Sequence, residues 1–247
     1  MTTLFVSDLH LSSRRPEKLA LFNKLMTGPA KDAEAFYILG DLFDDFWIGC
    51  DDQHSPNQEV ITTLRDYSNA GSTKLFIMRG NRDFHLNEEF AKATGCILIN
   101  DPAEINLDGE KILIMHGDTL CTDDVKYQKW RHFITNPIIK WIYSVMPLKL
   151  RKRIAHGVRG YAAEAVQKKA PEIIDVTDSA VIDILNKFNL STLIHGHTHR
   201  QAKHEFNLQN KQATRFVLGD WFEKDCVLVH DKTGFRFERV ADYIDNN

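Results

Sequence analysis

Five short polar clusters carry most of the side chains able to do chemistry: Asp8-Leu9-His10, Gly40-Asp41-Leu42-Phe43-Asp44, Gly80-Asn81-Arg82-Asp83, His116-Gly117-Asp118 and Gly196-His197-Thr198-His199. Imidazole nitrogens, carboxylates and an amide oxygen suit Mn, Fe or Zn, and no cysteine enters any cluster, so a thiolate site is excluded. In Asp-x-His the two side chains fall on the same side of an extended segment. The neighbouring glycines let backbone come close to a cation, and a carboxylate such as Asp41 can bridge two. Two cations about 4 Å apart are expected, with a bridging water activated to attack a phosphate ester or anhydride. Taken singly, a strand-ending Asp is commonly a helix cap and a lone His commonly structural. Five such clusters in series, each following a buried strand, are not so easily dismissed.

Those strands are legible as short apolar runs: Leu4 to Val6, Phe36 to Leu39, Leu75 to Met78, Ile112 to Met115, and Leu193 to Ile194. In an open α/β sheet the carboxyl ends of such strands are where ligands bind. Between the runs lie stretches of helical period, with Leu19, Phe22, Leu25 and Met26, then Val60, Ile61 and Leu64, then Ala180, Val181, Ile184, Leu185 and Phe188 behind Thr177 as N-cap. Towards the end, Phe216 to Leu218, Val227 to Val229 and Phe235 to Phe237 read as strands joined by short turns. The class is an α/β sandwich with mixed sheets. The stretch 126–169 breaks the alternation and reads as an inserted helical cap on a core of 1–125 and 170–247. It holds eleven Lys and Arg against Glu164 alone, about +10 in a chain of net charge −3.

The cluster pattern resembles the calcineurin-like metallophosphoesterase superfamily, with D-x-H, G-D-x-x-D, G-N-R-D, H-G-D and G-H-x-H met in order. The resemblance implies a four-layer α/β sandwich. It places Asp8, His10, Asp41 and His199 on one metal and Asp41, Asn81, His116 and His197 on the other, with Asp41 bridging. Arg82 stands where many members carry a leaving-group acid, and is expected to stabilise charge on the transferred phosphorus.

Longer stretches, Ile114 to Asp124, Gly80 to Phe84 and Arg151 to Ile154, look like the family of UDP-2,3-diacylglucosamine diphosphatases of the lipid A pathway. That resemblance implies two Mn(2+) per chain, cleavage to UMP and 2,3-diacylglucosamine 1-phosphate (lipid X), and a cap that holds acyl chains. Expected substrate contacts are Asn81, Arg82, Asp124, Lys169 and His197, with Trp130, Phe133, Trp141, Ile142 and Met146 lining an acyl slot. Lys149, Arg151, Lys152, Arg153 and Arg159 would rest on the anionic inner membrane at about 1 kcal/mol per charge. The alternative reading is a two-metal phosphodiesterase of soluble nucleotides, which has little use for an apolar, basic cap.

His195 is expected to point away from the metals, and Asp44, Asp83 and Asp118 to orient His or Arg. With 43% hydrophobic and 26% charged residues the chain is globular, and no apolar run reaches the roughly 20 residues of a spanning helix. Net acidity outside 126–169 argues against nucleic acid, and no obligate protein partner is implied. Cys50, Cys96, Cys121 and Cys226 form no CxxC pair and no signal segment opens the chain, so a cytoplasmic protein peripheral to the inner membrane is expected.

Overall fold

Alternation within single strands sets the layers. In a computed structural model describing residues 2–54, 56–71, 73–167, 173–209, 211–222 and 224–247, with backbone alone over 159–167, the order begins β1 (Thr3–Val6), α1 (Pro16–Thr27), β2 (Ala35–Leu39), α2 (Asn57–Asn69) and β3 (Lys74–Met78). It continues with α3 (Glu88–Thr94), β4 (Ile97–Ile99), β5 (Ala103–Leu107), β6 (Glu110–Met115), α4 (Val125–Ile134), α5 (Pro137–Val145) and α6 (Leu148–Gln167). It closes with α7 (Asp178–Phe188), β7 (Thr192–His195), β8 (Ala202–Leu208), β9 (Lys211–Val217), β10 (Cys226–Asp231), β11 (Gly234–Arg239) and α8 (Val240–Asn246).

One sheet runs β11-β10-β1-β2-β3-β4, parallel from β1 to β4, and the other β5-β6-β7-β9-β8, parallel through β6, β7 and β9. Leu4 and Val6 turn outward under α1, α2 and α3 with Phe22, Leu64 and Phe90, whereas Phe5 turns inward onto Ile112, Ile114 and Ile194 of the second sheet. Leu113 and Leu193, on the far face, pack against Val181 and Leu185 of α7. This is the four-layer sandwich with mixed sheets that the sequence led us to expect.

Three elements escape apolar patterning. The edge strands β5 and β8 carry mostly polar outward positions, and α3 is only 7 residues long. The start and stop of α3 are nonetheless written in sequence: Asn87 Oδ1 accepts from the Phe90 amide at 3.1 Å, and Gly95 closes it in the left-handed region at φ 73°. Thr177 holds the N-cap position of α7, but its hydroxyl pairs with that of Thr122 at 2.7 Å instead of capping.

Helices α4, α5 and α6 intervene between β6 and α7 and are tied to the rest from α4 and from the start of α6. Arg131 of α4 donates from Nε to Asp118 Oδ2 at 2.6 Å and from Nη2 to Asp101 Oδ2 at 3.0 Å. Arg151 of α6, buried, donates to the Ile48 carbonyl at 2.6 Å and pairs with Asp51, while Lys152 reaches Asp52 at 2.8 Å. Arg151 and Lys152 therefore do not belong to an outward basic face, because buried or facing carboxylates claim them. Lys149 and Arg153 remain exposed, and the side chain of Arg159 lies outside the described residues.

Candidate metal centre

The strand-ending turns are zipped together by backbone. Asp8 N donates to Gly40 O at 3.1 Å, His10 N to Asp41 O at 3.0 Å, and Gly196 N to His116 O at 2.8 Å. Gly40 is required where two turns meet: a Cβ there would lie 2.7 Å from Gly80 Cα and 2.6 Å from His116 Nδ1. Asp8, His10, Asp41, His197 and His199 all adopt left-handed backbone, at φ 55°, 46°, 53°, 69° and 60°. Each such non-glycine residue costs about 1 kcal/mol or more and persists only where the surrounding fold over-determines it.

These turns bring the seven expected ligands into one pocket of side chains. In a first cluster His10 Nε2 faces His199 Nε2 at 3.4 Å, with Asp8 Oδ1 at 3.3 Å from the latter and Asp41 Oδ2 at 3.8 Å from the former. In a second, Asn81 Oδ1 lies 3.0 Å from His116 Nε2 and 2.8 Å from His197 Nδ1, and Asp41 Oδ1 is 3.8 Å from His116 Nε2. Asp41 thus presents one oxygen to each cluster.

The donors fit divalent cations. Asp8 Oδ1 is buried without an aligned hydrogen-bond donor, and oxygen with imidazole nitrogen suits first-row metals. The electrostatics agree. Burial depresses the His199 imidazole, but Asp8 and the bond to Asp220 outweigh it and push the group up to about 10. Burial likewise opposes His116, and Asp41 with Asp8 carries it up to about 9. In each cluster the second imidazole goes the other way, burial lowering His10 to about 3 and His197 to about 4, so that one ring of each pair is held neutral with a nitrogen lone pair free to ligate.

Supporting contacts fix the ring orientations. His116 Nδ1 is 2.9 Å from Leu39 O, and His199 Nδ1 is 2.9 Å from Asp220 Oδ2. Asp83 accepts from the Leu42 and Gly80 amides, Asp118 from Tyr127 and Arg131, and Asp44 pairs with Arg14 at 2.6 Å. His195 lies outside both clusters with Nδ1 beside Gly196 O at 2.9 Å. Asp101, accepting from the His116 amide at 3.2 Å, and Asp220 escaped the sequence reading. For Asp220 the signal was present: Gly219-Asp220 follows the buried run Phe216 to Leu218 just as Gly40-Asp41 follows its own. Replacing Asp220 by Asn is expected to weaken metal binding about 10- to 100-fold by freeing the His199 ring, measured by Mn(2+) titration.

The expected substrate contacts divide. Arg82 donates its amide to Asp41 Oδ1 at 2.8 Å, and its Nε is buried without a hydrogen-bond partner. Asp124, also buried, caps α4 by accepting from the Tyr127 amide at 3.1 Å. Lys169 lies outside the described residues. The five slot residues do not form one enclosed slot. Trp130 packs against Phe46, Phe84 and Tyr127 beside the site, and Met146 is half-buried. Phe133, Trp141 and Ile142 are exposed by 59%, 63% and 37%. A cavity of about 530 Å³ opens along α5 between Trp141, Tyr143, Lys140 and the segment Phe84 to Leu86.

A family model for calcineurin-like phosphoesterases matches residues 1–201, and the chain belongs to that family. Within it, the UDP-2,3-diacylglucosamine hydrolase of Azotobacter vinelandii is 43% identical over 235 residues, covering 95% of this chain and 97% of that one. A Pseudomonas putida protein of the same name matches to the same extent. The Aliivibrio fischeri hydrolase is 45% identical over 230 residues, or 93% of this chain and 95% of its own. Similarity of this degree places the chain among these hydrolases, and the pocket described above is a divalent-metal site.

Proposed function

We propose that this chain cleaves the diphosphate of UDP-2,3-diacylglucosamine to UMP and 2,3-diacylglucosamine 1-phosphate in lipid A synthesis. Two Mn(2+) would be held by Asp8, His10, Asp41 and His199 and by Asp41, Asn81, His116 and His197. The observation that carries the reading is the splitting of the Asp41 carboxylate between the two clusters. Its relatives' shared name supports the substrate. When bound, the cations would supply Lewis-acid polarisation of the phosphoryl oxygens and acidification of a water.

The chain's own groups do the rest. Asn81 and His197 face the same space from β3 and β7, and Arg82 brings an unpartnered Nε to where charge builds on phosphorus. The Tyr127 ring lies 6.1 Å from His197, and Trp130, Phe46 and Phe84 continue an apolar wall from it along α4, against which acyl chains would pack. Residues 126–169 would act as a cap on a core of 1–125 and 170–247. No helix among the described residues is long and apolar enough to cross a membrane. On α5, however, Ile138, Trp141, Ile142 and Val145 form an exposed stripe at helical spacing, and with Lys149 and Arg153 nearby it supports peripheral contact with an anionic bilayer.

The test is hydrolysis of UDP-2,3-diacylglucosamine beside UDP-glucosamine and an aryl phosphodiester, with and without Mn(2+). Metal-dependent UMP release from the acylated substrate alone is expected. Turnover of only the soluble esters would replace this reading with that of a soluble-nucleotide phosphodiesterase.

A further inference from the structure

Opposite the α4 wall, the rim of the site is built from a different kind of residue. Phe222, in the turn between β9 and β10, is exposed by 42%, although its ring lies 5.1 Å from that of His10 and 6.2 Å from that of His199. Its position is set, because the Phe222 amide donates to Asp220 Oδ1 at 3.1 Å while Asp220 Oδ2 holds His199. The Arg15 guanidinium lies 3.5 Å from the Phe222 ring centroid, and its Nη2 donates to His10 O at 3.5 Å. Arg14, beside it, is 54% exposed at its side chain.

The Phe222 ring thus stands at the rim of the site, held between Arg15 and two expected ligands and still open to solution over 42% of its surface. We infer that Phe222, stacked on Arg15, is the platform for the pyrimidine base of the nucleotide half of the substrate. The inference rests on the proposed reaction. A diphosphate spanning both clusters has two ends; the acylated sugar is drawn to the apolar wall of Tyr127 and Trp130 on the His197 side, which leaves the nucleoside the His10 and His199 side. A flat heteroaromatic ring finds there an aromatic ring backed by the Arg15 guanidinium, the kind of surface on which bases stack.

The test is calorimetric binding of UMP and of ribose 5-phosphate to the Mn(2+)-loaded full chain. Phe222→Ala is expected to weaken UMP binding about ten-fold, the scale of one lost base stack, and to move ribose 5-phosphate much less. Phe222→Trp should restore UMP binding. Unchanged UMP affinity in Phe222→Ala, or an equal loss for both ligands, overturns the platform. The reaction is judged separately: if the unmodified chain releases no UMP from UDP-2,3-diacylglucosamine, the proposed activity fails whatever the binding data give.

Discussion

Asp41→Asn is expected to lower kcat for UMP release by more than about 10³-fold, because this one carboxylate serves both clusters and its loss would weaken both cations' hold and the activation of water that they would supply. Its Oδ2 is turned toward His10 and its Oδ1 toward His116, with the Arg82 amide donating to the latter. Asparagine keeps the shape but offers one oxygen and, in place of the other, an NH₂ that repels a cation. The loss should therefore appear also as a bound divalent-metal content below that of the unmodified chain after dialysis. Activity within ten-fold of the unmodified chain, at full metal occupancy, would remove Asp41 from the bridging position.

On the proposed reading, Arg82→Ala should cost about 10²- to 10³-fold in kcat with metal content unchanged, since Arg82 is expected to meet the phosphoryl group and is not among the seven expected ligands. Its amide donates to Asp41 Oδ1 at 2.8 Å, its Nε is buried without a hydrogen-bond partner, and its Cζ lies 5.7 Å from the Phe46 ring. Lysine at this position should recover only part of the rate, as it lacks the planar fork that matches phosphoryl oxygens. Steady-state kinetics separate the outcomes. A large rise in KM with kcat intact would make Arg82 a binding residue and nothing more.

Much of this was legible because short-range rules governed it. Central strands β1, β2, β3, β6 and β7 are buried on both faces and so read as unbroken apolar runs, and the turn after each is where the expected ligands lie. The edge strands β5 and β8 were not legible, since one-sided burial leaves them few apolar positions. The fate of individual charges was hidden too. Arg151 and Lys152 look like part of a solvated basic run, yet their partners Asp51 and Asp52 are about a hundred residues away in sequence. Ile138, Trp141, Ile142 and Val145 have the spacing of one face of α5, and only tertiary packing shows that face, like Phe133 of α4, turned to solvent. Asp101 holds the His116 backbone, a relation that spacing does not carry, whereas Asp220, which holds the His199 ring, follows its strand in the same Gly-Asp pattern as Asp41.

The left-handed backbone at Asp8, His10, Asp41, His197 and His199 has a thermodynamic consequence. Together these five residues hold roughly 5 kcal/mol of conformational energy, comparable to the net stability of an ordinary domain. A turn that relaxed to extended geometry would shed its share and at the same moment withdraw its side chain from the cluster. Cation and sheet are thus linked equilibria: the packed layers hold the turns ready for the ion, and the ion, binding only that arrangement, returns stability to the layers by mass action. Chelation should accordingly be felt as softening of the whole cooperative unit and not as a local event at its rim.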